Sequence, residues 1–198
     1  MQILRIDSAT TGDQSVTRKL TDLVTEHFTE AHPDAKVIHR DLVENPLAHI
    51  DPITTKALRT PPETHDEAVA AAYPDQRAVL DEFLASDVVI IGAPMYNFSI
   101  PSQLKAWMDR LGVPGATFKY SEAGPEGLAG GRKVVIASAR GGEYSNDQMA
   151  ENQESLLKTF MEFIGIDDLH FVRVEKTGFG PEAIEEGLAK AKEKIARL

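Results

Sequence analysis

Val88-Val89-Ile90-Ile91-Gly92 decides the fold. The run is apolar at every position and β-branched from Val88 through Ile91. A strand with one wet face would alternate polar and apolar residues. One that is apolar on both faces belongs in the middle of a parallel sheet, covered by helices on each side. Lys133-Val134-Val135-Ile136-Ala137-Ser138 reads the same way. Outward from these two, residues 3–7 form a first strand, 37–42 a half-buried second and 170–174 a last one. Helical spacing fills the gaps: 17–28, through Leu20, Leu23, Val24 and Phe28; 66–85; 102–111, with Pro101 near its first turn; 151–164, ended by Gly165; and 181–198. Pro74 should break or kink the 66–85 segment, because it lacks an amide donor and restricts Tyr73. Residues 44–64, with prolines at 46, 52, 61 and 62, read as a surface excursion carrying a short helix.

Strands alternating with helices imply right-handed βαβ units. Five strands within 198 residues predict one α/β domain over 1–198, a doubly wound parallel sheet with helices on both faces. Ligands of such sheets sit beyond the carboxyl ends of the strands, at the switch point. The informative loops are therefore those after the first, third and fourth strands.

Composition removes several function classes. The net charge is −10 and no Lys/Arg cluster appears, so no nucleic-acid partner is expected. No run of about eighteen apolar residues occurs, so no membrane span is expected. Met1–Asp7 becomes charged too early for a signal peptide. The absence of cysteine excludes disulfides, thiolate catalysis and Cys-ligated metals, and fits a reducing cytoplasm. The six histidines are scattered, so no metal site is expected. Without a Gly-x-Ser-x-Gly elbow, a Ser/His/Asp hydrolase is disfavoured. Gly178-Phe179-Gly180-Pro181-Glu182-Ala183 matches a short dinucleotide pattern. Only the last helix follows it, so it reads as a strand-to-helix turn.

The first loop, Ser8 through Thr17, is rich in hydroxyls and ends at a helix start. It suits a phosphate, through hydroxyls, free amides and the helix dipole; plain capping by Ser15 or Thr17 would also account for it. The third loop, Ala93-Pro94-Met95-Tyr96-Asn97-Phe98-Ser99, places large apolar side chains at the end of a central strand. A flat apolar ligand would explain them, with Asn97 pairing to a heterocycle's polar edge; a hydrophobic lid over the core is the alternative. The fourth loop, Ala139-Arg140-Gly141-Gly142, would let backbone approach a ligand closely, or simply turn.

The stretch from Ala93 through Lys105 closely resembles the signature of the bacterial FMN-dependent NADH:quinone oxidoreductases, also called azoreductases. Thr117-Phe118-Lys119-Tyr120 with Gly124-Pro125-Glu126-Gly127-Leu128, and Arg140-Gly141-Gly142, resemble it too. The resemblance runs essentially the whole chain. It implies a flavodoxin-like homodimer with FMN near the subunit interface and NADH or NADPH as co-substrate. Pro94, Met95, Tyr96, Asn97 and Phe98 would line the ring. Ser15, Val16 and Thr17 would surround the phosphate, with Ser8 serving where Ala9 replaces a second serine of the family. Ala139, Arg140, Gly141 and Gly142 would close the ring's other side, Ala139 replacing a family serine or threonine. Phe118 and Tyr120 would shape the acceptor pocket. The implied activity is two-electron transfer from NAD(P)H to quinones and to azo or nitro aromatic compounds, by a ping-pong hydride mechanism on the flavin, with no catalytic acid or base. A flavodoxin-like electron carrier serving a protein partner is the alternative; it would not need the excursion over 118–128.

Overall fold

At the centre of the sheet lies β3 (Val88–Pro94), buried at every position. The structure is a computed structural model that describes residues 1–144 and 151–198. β1 (Gln2–Asp7) and β6 (Lys133–Ala139) flank β3; β2 (Lys36–Asp41) and β7 (Asp168–Val174) form the edges. The order is β2-β1-β3-β6-β7, with every pairing parallel. The chain turns back at β1/β3, which is the switch point of this flavodoxin-like arrangement.

Side-chain alternation divides the interior into two cores. Leu4, Ile6, Val89, Ile91, Val134 and Ile136 face one side. There they meet α3 (Glu67–Leu84), α4 (Ser102–Met108) and α5 (Gln153–Phe163). Ile3, Val88, Ile90, Val135 and Ala137 face the other side, against α1 (Val16–Ala31) and α6 (Pro181–Ile195). The excursion over 44–64 carries α2 (Pro52–Arg59), as expected. No helix among the described residues is long and apolar enough to cross a membrane.

Two expectations change. Pro74 does not end α3, which runs unbroken from Glu67 to Leu84. Pro74 and Ala70, whose carbonyl loses its donor, are both exposed. Water can therefore satisfy that carbonyl, and packing of Val69, Val79, Leu80 and Phe83 holds the helix together. The other change is an antiparallel hairpin between β4 (Phe118–Ser121) and β5 (Gly124–Gly127), with Phe118 opposite Gly127.

Candidate functional site

The carboxyl ends of β1, β3 and β6 bring the three loops together, and side chains and backbone tie them to each other. The Tyr96 hydroxyl lies 2.9 Å from both the amide and the hydroxyl of Thr10, joining the third loop to the first. The Met95 amide donates to the Ala139 carbonyl at 2.8 Å, joining the third to the fourth. A Cβ built on Gly12 or on Gly141 would meet nothing within 4 Å, so both glycines face open space.

The first loop ends at α1, where the Ser15 hydroxyl accepts from the Arg18 amide at 3.2 Å and lies 2.9 Å from the Thr17 hydroxyl. Val16 and Thr17 head the helix, so their amides have no intrahelical acceptor. Arg18 pairs with Asp41, and its Nε is buried without a partner. Burial pushes the Asp41 carboxyl up, but the Arg18 guanidinium and the amides of Val43 and Glu44 outweigh it and hold it below the ordinary 3.8. Ser8 is placed differently from the other expected phosphate contacts. It is fully buried and donates to the Gly92 carbonyl at 2.7 Å, so its proton is already committed.

In the third loop, Tyr96 and Ser99 exchange both backbone hydrogen bonds, at 2.9 and 3.1 Å. Asn97 and Phe98 between them have φ values of 49° and 66°. Two left-handed residues across a two-residue connection make a tight turn of the I′ kind. Asparagine tolerates that backbone; phenylalanine rarely occupies it, at a strain of about 1–2 kcal/mol. The turn holds Phe98 outward, 52% exposed, with its ring 6.1 Å from that of Tyr144. Pro94 is buried as the last residue of β3, while Met95 and Tyr96 are half-buried.

The fourth loop is anchored through Arg140. Arg140 is 1% exposed, and its guanidinium meets Glu151 and Glu154 at 2.9 Å and Glu175 at 3.5 Å. Such a side chain anchors the loop from beneath. Ala139 is buried as well. Gly141 and Gly142 are the accessible part. Their carbonyls accept from Gly178 and Lys176 at 3.1 and 2.9 Å. A Cβ on Gly178 would lie 3.1 Å from the Gly141 oxygen. The Gly178-x-Gly180 segment thus braces the fourth loop, consistent with a strand-to-helix turn. Glu154 is raised by burial, yet Arg173, Ser138 and Arg140 together bring its carboxyl below the ordinary 4.5.

The hairpin separates its two candidate residues. Phe118 is 5% exposed, packed between Tyr120 and Phe163 with centroids 5.5 and 4.7 Å away. It supports the hairpin and presents little surface. Tyr120, two residues on along the strand, is 76% exposed and free to meet something outside this chain.

Thr10, Tyr144, Gln153, Glu151 and Glu175 hold the loops but were not singled out from the sequence. Gln153 did leave a signal: with Leu157 and Met161 it shares one buried helical stripe, where a polar residue is out of place.

Fold and site together define a flavodoxin-like protein whose three loops meet at the carboxyl ends of β1, β3 and β6. A family model described as flavodoxin-like fold matches residues 1–198. The FMN-dependent NADH:quinone oxidoreductase 1 of Pseudomonas syringae pv. tomato is 47% identical over 195 residues, 98% of this chain and 96% of that one. A crystal structure of an azoreductase from Bacillus anthracis Sterne superposes with a TM-score of 0.87 at 30% identity, covering both chains completely. An FMN-dependent NADH-azoreductase from Bacillus anthracis Ames Ancestor, solved in complex with FMN, gives 0.85 at 25% identity over 99% of this chain and 97% of its own. The chain belongs to the family of FMN-dependent NADH:quinone oxidoreductases and azoreductases.

Proposed function

We propose that this chain is an FMN-dependent enzyme that carries two electrons from NADH to quinones, and also to azo and nitro aromatic compounds, by ping-pong exchange. The observation that carries the reading is the cross-tied ledge at the ends of β1, β3 and β6, in a chain that aligns end to end with FMN-dependent relatives. The residues present fit the group. Open space over Gly12 and Gly141, the unspent amides at the head of α1 and the unpartnered Arg18 Nε supply room and donors for a phosphorylated planar ligand.

Bound to these loops, FMN would supply the chemistry of hydride acceptance and two-electron transfer. The chain's own residues then hold and orient it. Ser15, Val16 and Thr17 hold the phosphate at the positive end of α1. Met95, Tyr96 and Phe98 would form an apolar wall along the ring with Asn97 beside them, and the amides of Asn97 and Gly141 would be fixed donors for its polar edge. No side chain of the ledge is needed to move a proton. Ser8 and Arg140 serve from beneath, as supports of the first and fourth loops.

Phe98, Tyr120 and Leu128 are large, apolar and exposed at 52%, 76% and 39%. A second copy of the chain covering them would complete an acceptor pocket with Tyr120, and a homodimer is part of the proposal. The absence of cysteine supports a cytoplasmic place of work.

Steady-state rates with NADH and a benzoquinone varied together test the mechanism. Parallel double-reciprocal lines are expected. Lines that converge would replace ping-pong exchange with a ternary complex, and no loss of NADH would overturn the assignment as an enzyme.

A further inference from the structure

The Gln153 side chain is fully buried and uses both ends of its amide. Its Nε2 donates to the Ala93 carbonyl at 2.7 Å, at the end of β3. Its Oε1 accepts from Arg140 Nε at 3.2 Å, at the end of β6. One side chain from the first turn of α5 therefore bridges the roots of the third and fourth loops. The bridge is itself fixed. Arg140 is clamped by Glu151 and Glu154. Glu151 also accepts from the Glu154 amide at 2.8 Å, which sets the start of α5.

A glutamine is costly among Leu157 and Met161 unless its hydrogen bonds are made. Apolar residues would pack that stripe with less polar surface to satisfy. The amide earns its place through geometry, because no apolar residue can donate to one loop while accepting from another. We propose that Gln153 is a positioning residue for the FMN ring: it sets the spacing between Met95–Phe98 and Gly141–Gly142, the two walls between which the ring is held. This rests on the FMN reading above.

The test uses the full chain carrying FMN, with Gln153→Met, which keeps volume but makes neither bond, and Gln153→Glu, which keeps the acceptor for Arg140 but sets an oxygen against the Ala93 carbonyl. The FMN dissociation constant is read from flavin released on dilution, beside the visible spectrum and the melting curve. Each variant is expected to raise the dissociation constant about tenfold, the effect of one or two buried hydrogen bonds, and to shift the flavin's visible band. A purely structural glutamine would lower the melting temperature and leave the dissociation constant within about twofold and the band in place; that result, in either folded variant, overturns the proposal. In the wild-type chain, the NMR signal of the Gln153 side-chain amide is expected to move when FMN is added, and an unmoved signal also overturns it. A wild-type chain that takes up no FMN would instead overturn the underlying reading.

Discussion

Asn97 and Phe98 show how one backbone feature serves a site. Their left-handed conformations are disfavoured for residues other than glycine, and the turn persists because Tyr96 and Ser99 close it and Tyr96 is held by Thr10. Asn97→Ala keeps the backbone but loses the residue that tolerates it best, at about 1 kcal/mol. FMN retention during gel filtration is expected to fall in this variant; unchanged retention would mean that the backbone of the loop alone holds the ring. The apolar loop was legible in the sequence because Met95, Tyr96 and Phe98 are out of place at a strand end. Arg140 was legible as a position and not as a role: nothing nearby in sequence announces that Glu151, Glu154 and Glu175 converge on it. Phe118 and Tyr120 read alike as aromatics of one motif, and only packing against Phe163 separates support from exposed surface.

Among the elements, α3 and the β4–β5 hairpin are the instructive ones. Pro74 sits inside α3 with no structural gain visible around it. Pro74→Ala restores an amide donor and is expected to stabilise the chain by about 1–3 kcal/mol in urea denaturation. No gain would mean that the restricted unfolded chain repays what the helix loses. The central strands β3 and β6 were legible because burial on both faces leaves continuous apolar runs, and the half-buried edge strands followed from their place between helical segments. The hairpin was not, since Gly124-Pro125-Glu126-Gly127 has neither the alternation nor the propensity of a strand. It is held by close backbone approach instead. A Cβ on Gly127 would lie 2.2 Å from the Gly165 nitrogen, and Gly165, at φ 93°, cannot easily retreat. Gly127→Ala is therefore expected to lift the hairpin and to lower stability by about 3 kcal/mol, seen as a lower midpoint in the same experiment.

At the scale of the whole molecule, charge sets the response to acid. Asp41 and Glu154 are both held below their ordinary values of 3.8 and 4.5 by arginine partners, Arg18 for the first and Arg173 with the buried Arg140 for the second. The unfolded chain thus takes up protons on these groups before the folded one does. Their contribution is present in full above the unfolded values and is lost as the pH falls through the folded ones. Stability against urea is expected to be level in this respect above about pH 5 and to drop progressively below pH 4.5. A curve flat down to pH 3 would show that these pairs contribute nothing net. The loops that meet at the ends of β1, β3 and β6 come from three distant parts of the chain, and we propose that together they hold a flavin. The most direct test is to incubate the purified chain with FMN, remove free flavin by gel filtration and record the visible spectrum before and after NADH. A yellow protein that NADH bleaches and a benzoquinone recolours is expected; a chain that elutes colourless after incubation would show that the loops hold no flavin.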